Sequence, residues 1–205
     1  MNHLALFGAA ALAHLLAVMS PGPDFAIVSR QALLHGRSAG LWTAWGIASG
    51  IVAHVALGLF GLGWLLERLP SLLEWLRYGG AAFLIWMGYG SWRASSTPGS
   101  ETAVNAAPAP RRSYLLGVAT NLLNPKAALF CAALFSATLT AGAPASLNIL
   151  LGAWIILSTG TWFSLISLAI AHPRIRQHLL SRARLIDRAM AVLLVSLALL
   201  LLFSP

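Results

Sequence analysis

Apolar residues in this chain gather in long runs. From Leu4 onward they recur in six stretches, near 4–28, 39–62, 70–92, 113–138, 144–170 and 188–203, separated by short polar breaks. A run of about 20 apolar residues is what a helix needs to cross a bilayer core. None of the stretches alternates apolar and polar residues as a barrel strand would, and a chain in lipid must then satisfy its backbone groups within helices. The pattern predicts an all-α polytopic membrane protein with six transmembrane helices. The first stretch is expected to be retained rather than cleaved as a signal peptide, because it has no basic leader and is followed by Pro21-Gly22-Pro23-Asp24, not by a small-residue cleavage site.

Composition agrees with that setting. Of 205 residues, 59% are hydrophobic and only 9% are charged, against roughly a quarter charged in soluble domains. The net charge of +8 would suit a nucleic-acid partner if it formed one patch, but it does not. Arg30 and Arg37 follow stretch one, Arg93, Arg111 and Arg112 precede stretch four, and Arg174, Arg176, Arg182, Arg184 and Arg188 lie around the last connection. Elsewhere Glu67 and Glu74 balance Arg68 and Arg77, and the turn between stretches four and five is uncharged. The positive-inside rule then puts loops one, three and five in the cytoplasm and both termini outside. The basicity reports orientation, and no nucleic-acid partner is expected.

The third loop, "RASSTPGSETAVNAAPAPRR", has the Pro, Ala, Ser and Thr content of a linker. It divides a single transmembrane domain, 1–205, into repeat one (1–93), a linker (94–112) and repeat two (113–205). Three spans per half force the second half to insert upside down, giving two inverted three-helix repeats. The fifth loop, "HPRIRQHLLSRARLIDR", reads equally as an arginine-rich loop or as a short interfacial helix that sets Ile175, Leu179 and Leu180 against lipid.

Each half opens on a helix interrupted by proline, in "LLAVMSPGPD" (15–24) and in "LLGVATNLLNPK" (115–126). Inside a helix proline costs about 3 kcal/mol, yet at the first position of a new one it is well tolerated. Ser20-Pro21 and Asn124-Pro125 each place a capping residue before proline, so each predicts the restart of a half-helix with free amides at its N-terminus. Paired breaks of this kind in corresponding segments mark the binding site of inverted-repeat transporters, where a ligand carboxylate fits the free amides.

The charges beside the breaks sharpen this picture. Asp24 stands in the first turn of its half-helix, where a carboxylate is welcome with or without a function. Lys126 opposes the dipole of its own half-helix and sits near mid-membrane, at an insertion cost of roughly 3 kcal/mol. It is the sole lysine of the chain, every loop cation being arginine, and lysine can change charge where arginine cannot. An anion site, a group that changes charge, or an ion pair with Asp24 would each account for it. Gly46, Gly50 and His54, four apart, share one helix face; the glycines read as a close helix contact. His54 and His14 are candidates for a proton relay with Asp24, or for interhelical hydrogen bonds. Trp42, Trp45, Trp64, Trp75 and Trp92 read as interfacial anchors, with Trp45 within reach of a cavity.

A lone cysteine, Cys131, leaves no pair for a disulfide or a dithiol carrier, and the histidines show no metal-ligand spacing. No phosphate-binding glycine loop occurs. No enzyme, no cofactor and no metal site are expected.

"SPGPD", "NPKAALF", the six spans with both ends outside and the linker together resemble the lysine exporter (LysE/RhtB) superfamily over essentially the whole chain, in its branch of homoserine, threonine and neutral amino-acid exporters. The resemblance implies a secondary transporter of the bacterial inner membrane that exports amino acids or their derivatives by proton antiport, works as a homodimer and has periplasmic termini. It implies that Pro21, Gly22, Pro23 and Asp24 face a central cavity with Asn124, Pro125 and Lys126, and Asn121 is grouped with them. Related members carry metal ions such as cadmium, so a metal-ion exporter is one alternative. A non-transporting assembly or sensor protein, its breaks serving only packing, is the other.

Overall fold

The computed structural model describes residues 3–19, 22–60, 108–140 and 142–203, together with 78, 81–82, 85–86, 88–90 and 92–93. Among the described residues all regular structure is helical. α1 (His3–Met19) and α2 (Pro23–Phe60) open the chain, and α3 (Pro110–Leu122), α4 (Pro125–Thr140), α5 (Ala145–Ala171), α6 (Pro173–Leu180) and α7 (Ala183–Phe203) follow. Among the described residues α2 and α5 are long and apolar enough to cross a membrane, and α3 with α4, bent by 57° at their break, make a third candidate as one broken span or a re-entrant loop.

The division between the first two apolar stretches falls at Gly36. There α2 has φ 82° and ψ −173°, a conformation that residues with a Cβ almost never hold. α2 is therefore two helical arms, 23–35 and 37–60, joined at a kink between Arg30 and Arg37. Ser167 Oγ of α5 donates to the Arg37 carbonyl at 3.5 Å, beside the break. Gly36→Ala would strain the backbone, although its Cβ would meet nothing within 4 Å. The expected cost of about 1–3 kcal/mol would appear as a lower melting temperature of the purified protein, with no change in its insertion.

α2 is the centre of the molecule, packed chiefly on α3 and α5 and then on α4. Small residues make this possible. Gly46 and Gly117 face each other so closely that a Cβ on Gly46 would strike the Tyr114 carbonyl oxygen and one on Gly117 the Thr43 carbonyl oxygen. Thr43 Oγ1 lies 2.9 Å from the Ala39 carbonyl of its own helix and 3.2 Å from that of Ser113, and Tyr114 donates its hydroxyl to Ser49 Oγ at 2.7 Å. Below this contact Ile51 and Val55 of α2 join Cys131 and Phe135 of α4 and Leu151 and Ile155 of α5 in an apolar core.

Polarity is inverted relative to a water-soluble domain. Leu12, Leu16, Leu150, Leu157 and Leu165 are exposed, while Thr43, Asn121, Asn124, Asn148 and Thr159 are buried. Large exposed apolar surface is a liability in water and an advantage in lipid, where buried polar groups bond one helix to another. Thr138 Oγ1 of α4, for instance, donates to Asn148 Oδ1 of α5 at 2.7 Å. α6 forms the short basic helix of the fifth loop, with Ile175 exposed. Arg188 of α7 lies over the Trp92 ring, 5.9 Å from its centroid, within cation–π range. Of the other expected anchors, Trp42 is exposed and Trp64 and Trp75 fall outside the described residues.

Candidate functional site

Both breaks occur, one of them two residues later than the sequence suggested. α2 starts at Pro23, not at Pro21, and the Gly22 carbonyl accepts its first turn's hydrogen bond from the Ala26 amide at 3.0 Å. The residue before a proline is driven away from helical backbone, so with Pro23 present the helix cannot begin at 21 and run on through Gly22. Gly22 takes the capping place and Asp24 stands in the first turn. Ser20 and Pro21 lie outside the described residues. The second break is as expected. Asn124 Oδ1 accepts the Lys126 amide at 3.1 Å, and its carbonyl accepts the Ala128 amide at 3.1 Å, with Pro125 as the first residue of α4.

The two breaks meet. Asn121, in the last turn of α3, donates its side-chain amide to Asp24 Oδ2 at 2.8 Å. Lys126 Nζ comes to within 3.6 Å of where a Gly22 side chain would begin, and its ammonium and the Asp24 carboxylate attract one another. Asp24, Asn121 and Asn124 are buried. Asp24 Oδ1 makes no hydrogen bond to the described residues, though the Asn124 side chain lies beside the carboxylate. A buried carboxylate with so few hydrogen bonds is costly.

A cavity of about 50 Å³ lies at this junction. That is room for roughly four waters, or for a small zwitterion. Gly22, Asp24, Asn124 and Lys126 line it together with His14 of α1 and Thr159 of α5. Phe130 and Phe163 supply apolar wall. Pro23, Pro125, Asn121 and His54 are not among its lining residues. Trp45 is likewise absent from the wall, half-exposed and close to Gly160.

The histidines take different places. His54 Nε2 is 2.9 Å from the backbone carbonyl of Asn121. A carbonyl only accepts, so Nε2 carries the proton, and the bond holds the residue whose side chain holds Asp24. His14 is buried on the cavity wall, with Nδ1 3.2 Å from Ser158 Oγ and Nε2 3.3 Å from Thr159 Oγ1. Both rings therefore make interhelical hydrogen bonds. Thr159 and Ser158 were not singled out from the sequence. Their signal was there in "STG" (158–160), a polar trio in the middle of the fifth apolar stretch.

Taken together, the site sets the Asp24 carboxylate and the Lys126 ammonium in the wall of one small cavity inside an apolar bundle. Such a set matches a small molecule that carries both an ammonium and a carboxylate.

Comparison with known proteins agrees. The threonine efflux protein of Escherichia coli (strain K12) is 34% identical over 191 residues, covering 90% of this chain and 91% of that protein. The threonine efflux protein of Salmonella typhimurium is 33% identical over 190 residues, covering 89% and 90%. A shorter match, 32% identical over 117 residues, joins 57% of this chain to 56% of the homoserine/homoserine lactone efflux protein of the same organism. No solved structure gives a significant match. Residues 15–204 match the LysE type translocator family, and the chain, a membrane protein, belongs to it.

Proposed function

We propose that this protein exports small amino acids across the bacterial inner membrane as a secondary transporter, and that the cavity between the two breaks is its substrate site. The observation that carries the reading is the Asn121–Asp24 hydrogen bond of 2.8 Å, which joins the two interrupted segments at the place where Lys126 also reaches. The Lys126 ammonium, at the N-terminus of α4, holds the substrate carboxylate, and the Asp24 carboxylate takes its ammonium. A metal cargo fits less well, because the ammonium beside Asp24 repels a cation. A structural pair alone needs no cavity between its members.

Alternating access follows from the architecture in this reading. α1, the first arm of α2 and its second arm correspond to α3, α4 and α5: two short helices split at a proline, then a long one. Six spans in two inverted repeats, joined by the linker 94–112, would place the two breaks at the midplane from opposite directions. With the basic loops inside, both termini are periplasmic. Lys126 balances Asp24 in the empty site, and in this reading a proton entering from outside displaces the substrate ammonium from Asp24 and drives export.

Purified protein in liposomes loaded with labelled threonine or homoserine tests this. Efflux should depend on the protein and accelerate when the outside is made acidic. Protein that is folded and inserted but moves no amino acid would refute the assignment.

A further inference from the structure

Resting on the exporter reading, we propose that His14 and Thr159 form the subsite for the substrate's side chain, and that this subsite accepts a hydrogen bond, selecting side chains that carry a donor. The inference follows from the proton on each atom. Ser158 Oγ donates to the Trp154 carbonyl of its own helix, so its hydroxyl hydrogen is committed and only its lone pairs face His14. His14 Nδ1, 3.2 Å away, must then be the N–H of the ring. In a neutral imidazole the other nitrogen is an acceptor. Nε2 therefore takes the hydrogen of Thr159 Oγ1 at 3.3 Å. With its own hydrogen turned to the ring, Thr159 Oγ1 presents lone pairs, not a donor, to the cavity it lines.

The part of the lining that Thr159 supplies thus has a defined polarity. A hydroxyl on the substrate's side chain can donate to Thr159 Oγ1, while a methyl leaves that oxygen unsatisfied. A carboxylate side chain brings acceptors against acceptors. Phe130 and Phe163 in the same wall and the small cavity disfavour long or charged side chains. Threonine and valine, nearly equal in shape and different in this one hydroxyl, are the natural pair of probes. A site built around a hydroxyl discriminates strongly against the analogue lacking it, whereas an apolar site barely separates the two.

The test is competition, with unlabelled threonine, valine and aspartate each set against labelled threonine in liposomes containing the purified protein. The wild type should prefer threonine to valine by tenfold or more and exclude aspartate. Thr159→Val should lower the threonine-to-valine ratio at least tenfold, and Thr159→Ser should keep it. A ratio unchanged in Thr159→Val would overturn the subsite, and so would a wild type that handles threonine and valine alike, a result available even if the valine variant does not fold. A wild type that transports no amino acid would instead remove the exporter reading on which the subsite rests.

Discussion

Replacing Lys126 with alanine should abolish export, and the reason export is lost can be separated from loss of fold. Lys126 meets Asp24 electrostatically at the junction of the two breaks, so its removal leaves a buried carboxylate without its cation. Breaking a buried pair from one side costs about 3–5 kcal/mol, enough to lower the amount of folded protein. Asp24→Asn should do the same from the other side. The double variant Asp24→Asn/Lys126→Gln removes both charges and should recover most of the melting temperature. It should not recover transport, because neither substrate charge then has a partner. Each lost charge-assisted contact is worth about 1.5–3 kcal/mol, and two together correspond to at least a hundredfold in flux. Flux and thermal melting measured on the same four proteins decide the matter. A double variant that folds and exports at the parental rate would reduce Asp24 and Lys126 to a structural pair.

That these charges deserved attention could be read from the chain, and the reason is the cost of charge in lipid. A sole lysine in an apolar run, next to Asn-Pro, has few explanations other than a site. The second break was legible for the same local reason, since a capping side chain followed by proline specifies a helix start wherever it occurs, and Asn124 makes that cap. The first break was placed two residues early because the motif contains two prolines, and only the effect of Pro23 on Gly22 picks the true start. Gly36 was harder. Its place is marked by arginines, but the kink rests on one backbone conformation that any glycine could supply. What the sequence could not give was partnership across the bundle: that Asn121 reaches Asp24, that His54 holds Asn121 by its backbone, and that His14 meets Ser158 and Thr159. These contacts join residues far apart in the chain, and no local periodicity encodes them. The site residues came from local chemistry, and the way they are held came from the fold.

Gly46→Ala should destabilise the protein, and should impair transport although Gly46 does not touch the cavity. The new Cβ would strike the Tyr114 carbonyl oxygen, a backbone atom that cannot turn aside, so α2 and α3 must separate. Forcing extra volume into a packed contact costs about 1–3 kcal/mol, and the separation also threatens the Thr43–Ser113 contact at 3.2 Å and the Tyr114–Ser49 bond at 2.7 Å. For a chain of this length each kcal/mol corresponds to a fall of roughly 2–4 °C in melting temperature. Gly46→Val should go further and prevent accumulation of folded protein. The effect on transport follows from the register of α3. Asn121 lies one turn beyond Gly117, which faces Gly46, and its Cβ would already crowd a side chain at Gly50, so a displaced α3 draws Asn121 away from Asp24. Gly8→Ala is the control, because a Cβ there would meet nothing within 4 Å, and in a helix alanine is favoured over glycine by about 1 kcal/mol. Melting curves should place Gly8→Ala at or above the parent and Gly46→Ala below it. Equal melting temperatures for the two variants would mean that the close approach of α2 and α3 does not hold the site together.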